Sequence, residues 1–251
     1  MAKLIVLGSS YVIPDETHEN THLALLGTRD IVLVDCPGRV MIRLRRAGLD
    51  VERVGDIILT HFHPDHVDGV PMLIMELWLQ GRKRPMRFYG LEHCLQRIEH
   101  LMDDYDQAQW PGLFPISYHP VEDRPDAPVL ENADYRITAT PVKHFVPTIG
   151  LRVEDKATGH LLAYSCDTEP CPGTLHLAAN ADLLIHEAAG TGLGHSNAAQ
   201  AGEAARDAHA KRLALIHYRT GGADPSILIP EAAMVFEGPV ILAEDLMELE
   251  W

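Results

Sequence analysis

Short apolar runs, broken by glycine, proline and charged residues, recur along almost the whole chain, and their lengths predict strands alternating with helices. Leu4 to Leu7 reads as a buried strand ended by Gly8-Ser9-Ser10. His22 to Leu26 and Asp30 to Asp35 follow as two strands joined by the hairpin signal Gly27-Thr28-Arg29. Cys36-Pro37-Gly38 breaks the second before an amphipathic helix from Val40 to Ala47, closed by Gly48. A strand over residues 56–60 comes next. Val70 to Gln80 is apolar on nearly every side, which predicts a buried helix. Met86 to Tyr89 is expected as a strand, Leu91 to Met102 as a helix, and the irregular residues 103–127 as loops with an edge strand.

The β pattern returns at Tyr135 to Thr140, Ile149 to Val153, Leu161 to Ser165, Leu183 to His186 and Leu213 to His217. Ser196 or Asn197 can cap an alanine-rich helix reaching about Ala210. Pro230 is placed to start a helix near Glu231 to Val235, and residues 240–243 form a last strand. Without a repeat, low-complexity tract or linker, residues 1–251 are expected to form a single α/β domain.

Composition adds limits. Hydrophobic residues at 46% and charged residues at 23% are those of an ordinary packed globular protein. A formal net charge of −15 opposes nonspecific attraction to a phosphate backbone, so a nucleic-acid substrate would need a local basic patch. Arg82-Lys83-Arg84 with Arg87 is the best candidate, and a solvated loop is the plainer reading of that run. The stretch from Met1 to Gly8 is too short and too quickly ended for a signal peptide, and no segment approaches the ~18 apolar residues of a membrane span. A cytoplasmic protein without membrane association is expected. Cys36, Cys94, Cys166 and Cys171 lack Cys-x-x-Cys spacing, which predicts reduced, mostly buried thiols rather than disulfides or a four-thiolate zinc site.

The densest chemistry is Thr60-His61-Phe62-His63-Pro64-Asp65-His66, directly after the apolar run Asp56-Ile57-Ile58-Leu59. Imidazoles and a carboxylate this close suit borderline metals such as zinc, manganese or iron. Three other strand ends carry metal-capable groups: His144, Asp167 and His217. Ligands repeatedly placed at the ends of apolar strands can meet on one rim of a layered α/β structure, which is what a dinuclear site requires.

This ordered pattern resembles the metallo-β-lactamase-fold hydrolases, and more closely their ribonuclease Z-like branch. The resemblance runs through Gly8-Ser9-Ser10, Asn20-Thr21, Leu33-Val34 into Asp35-Cys36, the His61 to His66 motif, Pro141 to Gly150, Cys166-Asp167-Thr168, His186-Glu187-Ala188, Gly194-His195-Ser196 and Leu215-Ile216-His217. It implies an αββα sandwich and two divalent metal ions, zinc ahead of manganese or iron. It further implies that His61, His63 and His144 hold one ion, that Asp65, His66 and His217 hold the other, and that Asp167 bridges them. Oxygen-reducing diiron relatives place a glutamate where His63 stands, so hydrolysis is expected. Asp65 would also orient the attacking water and accept its proton. His195, in the histidine-serine/threonine motif, is the candidate proton donor for the leaving oxygen, with Glu187 holding His195 or His186 in place.

Ribonuclease Z resemblance implies transfer-RNA 3′-end cleavage, yet members that process transfer RNA commonly carry a long arm between the counterparts of His144 and Asp167. Only 22 residues separate them here. With the acidic charge, this gives a small or cyclic phosphodiester as the expected substrate and transfer RNA as the alternative. An arylsulfatase, a lactone or thioester hydrolase and a noncatalytic metal-binding protein are the further alternatives, since fold does not choose substrate. The resemblance also implies a homodimer.

Overall fold

Strands that bury both faces read as continuous apolar runs, and this explains the arrangement that the chain adopts in a computed structural model. The structure describes residues 2–222 and 224–251; Met1, part of the amino-terminal stretch read above, lies outside them. The chain forms two seven-stranded sheets packed face to face, with helices on both outer surfaces. The first holds β1 (Lys3–Gly8), β2 (His22–Leu26), β3 (Ile31–Val34), β4 (Val54–Leu59), β5 (Met86–Leu91), β6 (Ile116–Val121) and β14 (Glu248–Glu250), in the order β14-β1-β2-β3-β4-β5-β6. The second holds β7 (Ala127–Glu131), β8 (Tyr135–Val142), β9 (Thr148–Asp155), β10 (Leu161–Tyr164), β11 (Leu183–Glu187), β12 (Leu213–Ile216) and β13 (Val240–Leu242), in the order β13-β12-β11-β10-β9-β8-β7.

Period-2 alternation sorts each strand between two cores. Leu4 and Val6 of β1, Val32 and Val34 of β3 and Ile58 of β4 face the second sheet, where they meet Ile137, Leu151, Leu162, Ile185 and Ile216. Their neighbours Ile5, Leu7, Ile31, Leu33, Ile57 and Leu59 face helices α1 (Val40–Arg46), α3 (Val70–Leu79) and α4 (Glu92–Asp104). The second sheet does the same with α5 (Pro172–Ala178), α6 (Ala198–Asp207) and α7 (Leu228–Ala233). Each fully buried aliphatic side chain contributes about 1.5–3 kcal/mol. The central layer therefore holds rigidly the strand ends that emerge from it.

Asn197, not Ser196, caps α6, in a reciprocal capping box with Gln200. Ser196 instead donates its hydroxyl to the Thr168 carbonyl at 2.6 Å, tying its loop to the residue after Asp167. Three expectations need correction. Helix α3 is not enclosed, because it packs on one face of the sheet and leaves Met72 and Leu79 exposed, the latter at 70%. Pro230 is the third residue of α7 rather than the first. The run Arg82-Lys83-Arg84 is not a wholly solvated loop: Arg82 is buried and donates to the Arg84, Val54 and Pro85 carbonyls, while Arg84 pairs with Asp30 and Arg87 with Asp56. Unpredicted elements are α5, β14, β7 and the one-turn helix α2 (Pro64–Val67), which Pro64 opens at its first position.

Candidate metal centre

Parallel strands β3, β4, β10, β11 and β12 end on the same rim. There the chain must leave the sheet abruptly, and three non-glycine residues do so with positive φ: Asp35 at 64°, Cys166 at 53° and His217 at 53°. For side chains with a Cβ this region costs energy and persists only where the surroundings impose it. Asp35 follows β3, Cys166 precedes Asp167, and His217 follows β12, so the strain lies at the residues that aim groups into the rim.

The side chains converge as two sets. His63 Nδ1 lies 3.1 Å from His61 Nε2 and 3.2 Å from His144 Nε2. Imidazole nitrogens bound tetrahedrally to one ion at about 2.0–2.1 Å would stand about 3.3 Å apart, so this spacing suits a shared cation. Asp65, His66 and His217 also offer ligand atoms within 4.8 Å of one another. Asp167 Oδ2 stands between the sets, 3.2 Å from His217 Nε2, 3.6 Å from His66 Nε2 and 3.9 Å from His144 Nε2.

Four of the five imidazole nitrogens that point away from this centre meet a partner. His66 Nδ1 lies 2.8 Å from Asp35 Oδ2, His61 Nδ1 3.1 Å from Thr60 Oγ1, His144 Nδ1 2.7 Å from the Gly194 carbonyl and His217 Nδ1 3.1 Å from Thr21 Oγ1. Such outer contacts choose the tautomer and leave the inner nitrogen free to coordinate. Burial depresses the pKa of His61, His63 and His144, favouring the neutral form that a ligand needs. Asp167 resists the opposite pull of burial: His217 and His66 hold it well below the usual carboxylate range, so it stays ionised.

A direct test of fit comes from two buried polar atoms in the centre, His66 Nε2 and Asp167 Oδ1, which lack a hydrogen-bond partner among the described residues. Each would cost about 1–3 kcal/mol if left unsatisfied. A divalent cation satisfies both, and the nitrogen and oxygen donors match its chemistry. Cys166 lies 3.6 Å from His61 Nδ1, the outer nitrogen, so its thiol sits behind the ligand.

Comparison with known proteins now places the chain. A family profile described as a beta-lactamase superfamily domain matches residues 31–218. A ribonuclease Z from Methanothermobacter thermautotrophicus is 30% identical, with the match covering 100% of this chain and 97% of that protein. This chain belongs to the metallo-β-lactamase superfamily. Within it, it is a metal-dependent hydrolase of the ribonuclease Z-like branch. Among solved structures, the metallo-β-lactamase-fold protein YhfI from Bacillus subtilis superimposes with a TM-score of 0.82 at 25% identity, covering 100% of this chain and 99% of that one. A diphosphatase from the PhnP family gives 0.76 at 19% identity, covering 100% and 98%, and shares the fold. The expected αββα sandwich is therefore the observed one, and divalent metal ions go with this superfamily. Among the described residues, no helix is long and apolar enough to cross a membrane.

Beside the candidate metal centre, a pocket of about 280 Å³ is lined by Tyr11, Val12, Asp65, Phe145, His195 and His217, among others. Glu187, fully buried at the end of β11, accepts from His195 Nδ1 at 3.0 Å and from the backbone N–H groups of Thr168 and Ala189. Of the two histidines considered for it, Glu187 thus holds His195, while His186 Nδ1 turns to the Glu187 carbonyl. Burial opposes a charge on His195, but the Glu187 carboxylate outweighs it and raises the imidazole pKa. Burial in turn pushes Glu187 up.

Sequence reasoning did not assign roles to Asp35, Thr60, Thr21 and the Gly194 carbonyl, although the motifs quoted for the resemblance contain Asp35, Thr21 and Gly194. The missing signal is spatial. Asp35 and His66 are 31 positions apart and meet because β3 and β4 are adjacent parallel strands.

Proposed function

We propose that this chain is a dinuclear metal-dependent phosphodiesterase whose leading substrate is an RNA phosphodiester at the 3′ end of a transfer RNA. The observation that carries the chemistry is the pair of facing donor sets with Asp167 between them and the His195–Glu187 pair at the same pocket. The ribonuclease Z relative supports the substrate and reverses the order expected from the sequence, which put a small phosphodiester first.

In this reading His61, His63 and His144 would hold one ion and Asp65, His66 and His217 the other, with Asp167 placed to serve both. Zinc is the first choice for such nitrogen-rich sets, with manganese or iron as the alternatives. Two such ions supply Lewis acidity toward phosphoryl oxygens and a lowered pKa for water. Asp65, at the pocket wall, orients the attacking water and takes up its proton. His195, protonated at the nitrogen opposite Glu187, donates to the leaving oxygen, which would otherwise depart as an alkoxide. Glu187 fixes the ring orientation and keeps that proton in place.

A small phosphodiester is the second reading, and one observation favours it. Strands β9 and β10 are joined directly through residues 156–160, leaving no projecting arm between His144 and Asp167. The match to the ribonuclease Z spans 311 residues against 251 in this chain, so that relative carries segments absent here.

The test supplies purified protein with zinc, manganese or iron and offers a precursor transfer RNA, a 2′,3′-cyclic nucleotide and bis(p-nitrophenyl) phosphate. Cleavage of the precursor at its 3′ trailer, reduced about 10²–10⁴-fold by His195→Ala, is the expected result. Turnover of the small esters alone would select the second reading. Inertness toward all three with metals bound would remove both.

A further inference from the structure

Two exposed apolar side chains on loops line the pocket, Val12 and Phe145. Phe145 stands apart chemically. Of the five phenylalanines, Phe88, Phe114 and Phe236 are buried and Phe62 is half-buried, whereas Phe145 is 55% exposed. Exposure here is not looseness. The ring stands edge-on to His144 with centroids 4.9 Å apart, and lies 6.1 Å from His195 and 6.3 Å from His63. It also rests against Gly194, where a Cβ would come within 3.0 Å of the ring. Gly194 is itself fixed, through its carbonyl to His144 and its N–H to Glu169.

We infer that Phe145 is a substrate-specificity residue: a preset aromatic platform, flanked by Val12, that stacks on the planar base of a nucleotide whose phosphate occupies the metal centre. This rests on the phosphodiesterase reading and extends it to the group carried by the phosphate. An aromatic face held rigidly beside a charged centre gains contact area with little loss of side-chain freedom when a flat ring covers it. Base stacking of this kind tolerates any base, because every base presents a π-face.

The test uses the metal-loaded protein and two ligands with the same phosphate, adenosine 5′-monophosphate and ribose 5-phosphate, which differ in the base. Each is titrated calorimetrically and as an inhibitor of bis(p-nitrophenyl) phosphate hydrolysis, against wild type, Phe145→Ala and Phe145→Trp. The expected wild-type preference for the nucleotide is between about fivefold and a hundredfold. Phe145→Ala should erase that preference and leave ribose 5-phosphate affinity unchanged, while Phe145→Trp should retain it. An equal affinity of wild type for both ligands, or a preference that survives in Phe145→Ala, would overturn the platform. Failure to hydrolyse the diester would instead count against the phosphodiesterase reading, while calorimetry still reports on the platform.

Discussion

Replacing Asp35 by asparagine should weaken the hold of one donor set on its ion while keeping the backbone, because the change acts through the tautomer of His66. Asp35 is fully buried, and its Oδ1 accepts from the Thr60 N–H at 2.8 Å. Oδ2 lies 2.8 Å from His66 Nδ1 and 2.9 Å from Thr60 Oγ1. In Asp35→Asn the amide oxygen must stay at the Oδ1 position, since an amino group there would face the Thr60 N–H donor to donor. The amino group therefore takes the Oδ2 position and points at His66 Nδ1, which must become an acceptor. The imidazole proton then moves to Nε2, the nitrogen that faces Asp65 and Asp167. Asparagine tolerates the positive φ of residue 35 as aspartate does, so the strand end is preserved.

Loss of an outer partner typically costs 10–100-fold in metal affinity, or about 1.4–2.8 kcal/mol. Losing the charge-assisted bonds costs stability of about 1–3 kcal/mol, and each 1 kcal/mol lowers Tm by about 2–4 °C in a chain of this size. The variant should therefore remain folded at 25 °C. Zinc titration against a competing chelator, with elemental analysis, should show one ion held as in wild type and the other weakened 10–100-fold. Two ions bound with unchanged affinities would refute the tautomer argument.

Glu187→Gln removes the carboxylate that raises the pKa of His195, so the high-pH limb of the rate profile, where His195 loses its proton, should move to lower pH; an unmoved limb in kcat would show that another group sets it. Gly194→Ala places a Cβ 2.8 Å from His144 Nδ1 at a φ of +81°, and a stability loss of at least about 1 kcal/mol with weakened metal retention is expected by thermal melting and elemental analysis. Arg43 and Asp245 form a 2.6 Å ion pair and are each 8% exposed, so Arg43→Met should destabilise the fold by about 3–5 kcal/mol in denaturant titrations. Burial already raises the pKa of Asp245. With a folded pKa above the unfolded one, its proton stabilises the fold at low pH and that contribution is lost as pH rises. The Arg43→Met deficit should therefore shrink as pH falls, and a deficit constant with pH would contradict the buried-charge account.

The apolar runs made the strands legible because burial of both faces leaves a signal in composition alone, as in Ile31–Val34 and Leu213–Ile216. Helix α5 is not legible in the sequence, because seven residues opening Pro172-Gly173 carry too little periodicity. For helix α3, the all-apolar segment predicts burial on every side, because it does not say which side the sheet covers. In the candidate centre, donor types and their strand-end positions were visible in the chain, whereas the partners were not.

What the sequence by itself determined was the inventory: seven nitrogen and oxygen donors at the ends of apolar runs, and the short span from His144 to Asp167. The tertiary structure decided which nitrogen of each histidine turns inward, that Glu187 holds His195 rather than His186, and that Asp35 sets His66. The reason is physical. A donor's identity is a property of one residue, but its tautomer and direction depend on hydrogen bonds from strands that become neighbours only when the two sheets assemble.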